Sequence, residues 1–157
     1  MLVKIKKLDN FDPSFALPTY GSAQASGADV LACLPESKSI ELKPFERILI
    51  PTGLSFEIPL GYEIQVRPRS GLSIKTGLVI VNSPGTIDSD YRGELKIIVS
   101  NFSSTVETIE HGLKIAQLVL APVIQMKLEV SDLSESIRGP NGFGSTGYIN
   151  ETKEINS

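Results

Sequence analysis

The chain contains one cysteine, one histidine and no tryptophan among 157 residues. A lone cysteine, Cys33, excludes an internal disulfide framework. A lone histidine, His111, excludes zinc sites built from Cys and His and leaves little room for His-based nucleophilic catalysis. No apolar run approaches the ~20 residues that a membrane span needs; the longest, Ile115 to Ile124, is interrupted by Gln117 and Pro122. Lys4, Lys6 and Lys7 sit inside the first apolar stretch, so no cleavable leader is expected. Fifteen Lys and Arg stand against eighteen Asp and Glu, a net charge of −3, so there is no basic footprint for nucleic acid. These absences point to a cytoplasmic protein with neither membrane nor nucleic acid as a partner. Its chemistry must rest on carboxylates, hydroxyls and backbone groups, with or without a hard metal ion.

What is present is a single domain's worth of sequence, 41% hydrophobic and 21% charged. A chain of this length buries ~70% of its unfolded surface and needs no staple. Thirteen Gly and ten Pro interrupt short runs rich in Ile, Val and Leu. Tyr62 to Arg67 alternates at period two, as a half-buried strand should. Glu46 to Ile50, Leu78 to Val81, Glu94 to Ser100, Lys114 to Ala121 and Gln125 to Val130 also read as strands. The best helix candidate runs from about Gly71 to Lys75, with Ser70 as its N-cap. The expected fold class is all-β, an antiparallel sandwich or barrel. A core of residues 1–136 is expected, followed by an arm of residues 137–157 with four glycines between Arg138 and Gly147.

Three clusters could carry chemistry. Arg67-Pro68-Arg69-Ser70-Gly71-Leu72-Ser73 joins two guanidinium groups, two hydroxyls and a glycine at a strand-to-helix junction, the parts of an anion cradle. Surface arginines on an ordinary capped turn are the plainer reading of that segment alone. Arg138 to Gly147 repeats the kit and adds Phe143 between glycines, placed to stack on a flat ring. Between them, Pro84-Gly85 suits a tight turn, so Leu78 to Val81 and Thr86 to Asp88 are expected to form a hairpin. Asp88 and Asp90 would share one face if extended, with Tyr91 opposite, and a carboxylate there could orient a water or hold a metal. Asp29 reads as a turn cap or a cation ligand. Gln117, inside an apolar strand, must satisfy nearby backbone or reach into a site. His111 reads as an exposed turn residue and Cys33 as a core filler.

In this order the segments resemble the five motifs of the trimeric dUTP diphosphatase (dUTPase) family. Ala25 to Val30 resembles the first motif, Arg67 to Ser73 the second and Asn82 to Glu94 the third. His111 to Pro122 resembles the fourth and Arg138 to Gly147 the fifth. Five ordered motifs across nearly the whole chain outweigh the plainer readings of each. The resemblance implies a distorted jelly-roll-like β-barrel, a homotrimer with shared active sites, and a C-terminal arm that closes over the nucleotide. It implies hydrolysis of dUTP to dUMP and diphosphate, with Mg²⁺ bound across the triphosphate.

Carried over by position, the resemblance makes Asp88 the residue that orients the attacking water. Arg69, Ser70 and Gly71 would hold the α- and β-phosphates, with Gln117 contributing to the phosphate chain. Arg138, Gly144, Ser145 and Thr146 would bind the γ-phosphate. Asp29 would reach Mg²⁺ through its waters. Backbone groups near Asn82, Gly85, Thr86 and Ile87 would read the uracil edge, since cytosine would leave buried polar groups unpaired. Tyr91 would lie beneath the deoxyribose, Lys96 would touch the base side and Phe143 would stack on uracil. A dCTP deaminase of related fold would need a Glu where this chain has Ile97 and Ile98. A silent nucleotide-binding trimer would not need Asp88, Tyr91 and the arm together.

Overall fold

The computed structural model describes residues 1–142. Its strands are β1 (Lys4–Lys7), β2 (Thr19–Tyr20), β3 (Ala28–Leu31), β4 (Ile40–Leu42), β5 (Arg47–Pro51) and β6 (Leu54–Glu57). They continue with β7 (Tyr62–Arg67), β8 (Leu78–Ile80), β9 (Gly85–Ile87), β10 (Lys96–Asn101), β11 (Glu107–Ile109) and β12 (Lys114–Pro122). One short helix, α1 (Ser70–Lys75), follows β7. The domain is all-β and jelly-roll-like, as expected, although its ladders form separate sheets and no closed barrel among the described residues.

β7 shows why the alternation was informative. Ile64 and Val66 point inward and are 5% and 3% exposed, whereas Arg67 at its end is exposed. β12 lies between β3 and β7 in the sheet ordered β2-β3-β12-β7-β9 and buries Ala116 and Leu118. β10 lies between β5 and β8 and buries Ile97 and Val99. These side chains meet in one core, where each buried aliphatic contributes about 1.5–3 kcal/mol. Buried Asn101 is satisfied: its amide nitrogen donates to the Leu42 and Thr105 carbonyls at 2.8 and 2.7 Å, and its oxygen accepts from the Ser103 amide at 2.8 Å.

Several expectations are corrected. Gln125 to Val130 forms no strand: after the Val123 amide bonds the Gly61 carbonyl, the described residues offer it no ladder partner. Leu78–Ile80 and Gly85–Ile87 are not a hairpin, because β8 pairs with β10 and β9 pairs with β7. The intervening turn carries the chain from one sheet to another. α1 begins at Ser70 with Arg69 as N-cap and no side-chain cap bond, since the Arg69 carbonyl accepts the Leu72 and Ser73 amides. Asp29 lies within β3, opposite Gln117 and Thr19, and is not a turn cap.

The chain divides into two units, Met1–Ile124 and Gln125–Ser157. In the second unit, the Gly139 amide donates to the Ser136 carbonyl and the Asn141 amide to the Arg138 carbonyl. Arg138 Nε donates to the Asn141 carbonyl at 2.8 Å, and Gly139 adopts φ +52°.

Candidate active site

The first unit holds two clusters, one at the C-terminal end of β7 and one beside β9, its partner at the sheet edge. At the C-terminal end the strand runs through Pro68 into α1, and Arg69 turns back across the sheet. Its Nε donates to Asp29 Oδ1 at 2.7 Å and its Nη2 to Asp29 Oδ2 at 3.2 Å. Nη1 donates to the Lys114 carbonyl at 3.2 Å, and Lys114 Nζ lies 3.1 Å from Asp29 Oδ2. Burial acts to raise the pKa of Asp29, but hydrogen bonds from Arg69 and Lys114 outweigh it and hold the carboxyl below its ordinary range.

Gln117, directly opposite Arg67, donates from Nε2 to the Pro68 carbonyl at 2.8 Å. The carboxamide thus meets the first of its two expected fates and satisfies local backbone, where it fixes the strand-to-helix turn. Its side chain lies against Gly27, where an added Cβ would come within 3.0 Å of Cδ. Ser70 and Gly71 are exposed, and nothing lies within 4 Å of a Cβ built on Gly71. The segment is a basic, open cradle beside one ionised carboxylate.

Beside β9, a cavity of about 280 Å³ is lined by Asn82, Thr86, Ile87, Asp88, Tyr91, Glu94 and Lys96, with Leu49 and Ile98 as apolar walls. β9 is the edge strand of its sheet, so the backbone of Gly85 to Ile87 has one side unpaired among the described residues. Gly85 lets Asn82 close in: an added Cβ would lie 3.1 Å from Asn82 Nδ2 and 3.2 Å from Val66 Cβ. The Tyr91 amide bonds the Asp88 carbonyl, so 88 to 91 is a turn. The expected extended geometry, with Asp88 and Asp90 sharing a face, is therefore corrected: Asp88 and Tyr91 line the cavity together and Asp90 does not. The Tyr91 hydroxyl donates to the Glu94 carbonyl at 3.0 Å. Lys96 faces the same cavity and lies 3.4 Å from Glu94 Oε2.

Glu94 was not singled out from the sequence. Its Oε1 accepts Asn10 Nδ2 at 2.8 Å and the Gly53 amide at 2.9 Å, tying the cavity floor to the core. Lys114 was also missed. Both act through residues distant in the chain, and no local pattern announces them. His111 is corrected from an exposed turn residue to a clamp. Its Nδ1 accepts the Leu34 amide at 3.0 Å, so Nε2 carries the hydrogen and donates to Asp12 at 2.8 Å. Its ring also packs on Phe15 at 4.5 Å. Cys33 is a core residue, as expected, and burial pushes its thiol pKa up. Phe143, Gly144, Ser145 and Thr146 lie outside the described residues.

Comparison with known proteins decides among chemistries. A dUTPase family model matches residues 14–147. The chain is 59% identical over 148 residues to the deoxyuridine 5′-triphosphate nucleotidohydrolase of Bdellovibrio bacteriovorus, covering 94% of this chain and 97% of that one. It is 51% identical over 146 residues to the protein of the same name from Roseobacter denitrificans, covering 92% and 95%. The chain belongs to the dUTPase family.

Solved dUTPases share its fold. The Staphylococcus bacteriophage 80alpha dUTPase with dUPNHPP matches with a TM-score of 0.81 at 29% identity, covering 94% of this chain and 99% of that one. A mutant dUTPase of phage phi11 of S. aureus, whose structure concerns coordination of a structural Mg(II) ion, matches with a TM-score of 0.71 at 26% identity, covering 87% and 100%. The family model spans the segments of all five motifs, so this dUTPase-family chain carries both clusters within the matched region.

Proposed function

We propose that this chain hydrolyses dUTP to dUMP and diphosphate by attack of water on the α-phosphorus. Such a reaction keeps uracil out of DNA and supplies dUMP for thymidylate synthesis. The observation that carries the reading is the cavity in which Asp88 and Tyr91 stand beside an unpaired backbone edge, in a chain of this family. Asp88 orients the water. A carboxylate is a weak base near neutrality, so positioning contributes more than full deprotonation. Backbone groups of Gly85, Thr86 and Ile87 with Asn82 read the uracil edge, Lys96 stands on the base side, and Tyr91 lies beneath the sugar and leaves no space for a 2′-hydroxyl. Arg69, Ser70 and Gly71 receive the α- and β-phosphates, and Gln117 holds the Pro68 turn that presents them.

Mg²⁺ fits the donor set in a limited way. No group of three His, Cys, Asp or Glu among the described residues could hold a metal alone, but Mg²⁺ is commonly held by substrate phosphates, one or two carboxylates and its own waters. Asp29 accepts three contacts, from Arg69 Nε, Arg69 Nη2 and Lys114 Nζ. A carboxylate offers about four lone-pair sites, so one remains for a metal-bound water. The ion would supply charge neutralisation across the triphosphate.

The active enzyme is a homotrimer whose sites combine residues of different subunits. Register supports this reading. Ile87 pairs with Ile64, and Arg67 is three residues further along β7. Asp88 and Arg67 of one chain are therefore separated by roughly 13 Å of strand, with Arg69 beyond. The exposed alternation of Ile124, Met126, Leu128 and Val130 also suits a contact with another copy. The core ends near Ser136, and the arm of residues 137–157 closes over the nucleotide. There Arg138, Gly144, Ser145 and Thr146 bind the γ-phosphate and Phe143 stacks on uracil. The working location is the cytoplasm; no helix among the described residues is long and apolar enough to cross a membrane.

One experiment tests both chemistry and assembly. Asp88→Asn and Arg69→Ala are each expected to abolish diphosphate release from dUTP. When the two are unfolded and refolded together, random mixing leaves about a quarter of the sites with both side chains intact if these come from neighbouring subunits, and activity returns. A fully active Asp88→Asn enzyme would overturn the catalytic role. Two dead parents with a dead mixture would place both residues in one chain's site.

A further inference from the structure

The cationic cradle depends on a residue so far described only as a contact. β12 carries a bulge beside Asp29: Ala116, Gln117 and Leu118 pair with Val30, Asp29 and Ala28, but Lys114 pairs with Leu31. One extra residue is accommodated between Lys114 and Ala116. In an unbroken ladder Lys114 would share the face of buried Ala116 and Leu118. The bulge transfers it to the face of Gln117 and Asp29, since it inverts the two-residue alternation. Lys114 Nζ consequently reaches Asp29 Oδ2 at 3.1 Å, while the Lys114 carbonyl accepts Arg69 Nη1 at 3.2 Å.

Charge arithmetic shows what this placement does. Arg69 and Asp29 alone form a bidentate pair with no net charge, and a guanidinium neutralised in this way is a weak attractor for phosphate. With Lys114 on the same carboxylate, the three groups sum to +1. The Arg69 side chain is 29% exposed and that of Lys114 54%, so this charge faces the opening of the cradle.

We propose that Lys114 is a positioning residue for phosphate recognition: it shares Asp29 with Arg69, and its backbone orients the guanidinium, so that Arg69 stays available to an anion. This rests on the reading of the Arg69 segment as the phosphate cradle of a dUTPase. It assigns Lys114 no contact with substrate and no part in the attack on phosphorus.

The test uses the full-length chain with Lys114→Met, Lys114→Gln and Lys114→Arg, and inorganic tripolyphosphate and a non-hydrolysable dUTP analogue as probes. Lys114 is half-exposed, so the variants are expected to fold, and melting curves check this. Removing the charge is expected to weaken both probes and raise KM by about tenfold, the size of one charge change acting across a few ångströms at a partly exposed site. At saturating dUTP kcat should stay within about twofold, the salt dependence of probe binding should become shallower, and Lys114→Arg should restore wild-type values. Deoxyuridine, which lacks phosphate, should bind all variants alike.

The decisive comparison repeats Lys114→Met in an Asp29→Asn background. If Lys114 acts by offsetting the Asp29 charge, the second change adds little to the first. A full additional tenfold loss would mean that Lys114 acts on phosphate independently of Asp29 and overturn the proposal. Unchanged probe affinity in Lys114→Met, or equal losses for deoxyuridine, would overturn it too. If the wild type binds tripolyphosphate in a Lys114-dependent manner but leaves dUTP intact, the dUTPase reading fails and the inference about the cradle survives.

Discussion

Replacing Gly93 with alanine should relax sugar discrimination without touching the tyrosine assigned to that task. A Cβ at Gly93 would lie 2.6 Å from Tyr91 Cζ and 3.0 Å from Cε2, closer than packed carbons approach, and would also strike the hydroxyl. The ring is 45% exposed and has open space to move into. Leaving its seat breaks the 3.0 Å bond from the hydroxyl to the Glu94 carbonyl, which costs about 0.5–1.5 kcal/mol. The fold should therefore lose only about 1 kcal/mol, a fall in Tm of roughly 2–4 °C. Discrimination should change far more. A pocket that rejects an added hydroxyl by shape alone achieves about 10²-fold, and that factor is at risk once the ring no longer closes the sugar site. The assay is diphosphate release from dUTP and from UTP, expressed as the ratio of kcat/KM values, with melting curves alongside. The ratio should fall by one to two orders of magnitude, about the range that shape alone can supply. A lowered Tm with an unchanged ratio would refute the argument, because the ring would have moved and the enzyme would still distinguish the sugars.

Two further outcomes are expected. Gly27→Ala pushes the Gln117 side chain away and breaks its bond to the Pro68 carbonyl; affinity for a dUTP analogue should drop about tenfold or less, as loss of one hydrogen bond predicts, which titration calorimetry can measure. Asp12 is held at about 2, below its ordinary value of 3.8, first by the Ser14 hydroxyl and amide and then by His111. A depressed carboxyl contributes stability that is fully present above the unfolded value and lost as pH falls through the folded one, so the urea midpoint should decline between about pH 4 and about pH 2. Asp12→Asn should be less stable at neutral pH and show a flatter decline over that window; an equally steep decline would assign the effect to other groups.

The legible parts of this fold were those governed by local patterns. Tyr62–Arg67 was expected and observed with the same bounds because one face is buried and the other is not, which writes a period of two into the sequence. The long β12 was legible as an apolar run between Gly112 and Pro122, and the helix after Arg69 from the turn and cap residues that open it. β6 was missed because its four residues include three buried ones, Leu54, Ser55 and Phe56, and so show no alternation. Pro84-Gly85 signalled a change of direction but carries no information about which sheet receives the next strand. His111 was misread for the same reason: the turn at Gly112 is local, whereas the groups that clamp its ring are 77 and 99 residues away. The bulge at Lys114 is likewise a property of the pairing and not of the strand. In the candidate site the residue types were legible from motif order, but the division into one cluster after β7 and another beside β9 required the register.

That division throws light on the glycines. Gly27, Gly85 and Gly93 each lie where a Cβ would press on a different candidate site residue: Gln117, Asn82 and Tyr91 in turn. None of the three has a positive φ, so their backbones would tolerate alanine and the constraint is space alone. Gly61 presents the opposite case, with φ +84° and nothing within 4 Å of a built Cβ. Alanine at Gly61 is a backbone problem that costs stability, about 1–2 kcal/mol for an L-residue held in the left-handed region, and its Cβ would press on no candidate site residue. The two kinds of glycine therefore separate stability from recognition. A site whose side chains rest on bare backbone is held by packing against groups that cannot swing, so precision at Gln117, Asn82 and Tyr91 does not depend on further side-chain partners. Substitutions at 27, 85 and 93 should then disturb phosphate, base and sugar recognition respectively, each out of proportion to the melting temperature, whereas a change at 61 should do the reverse.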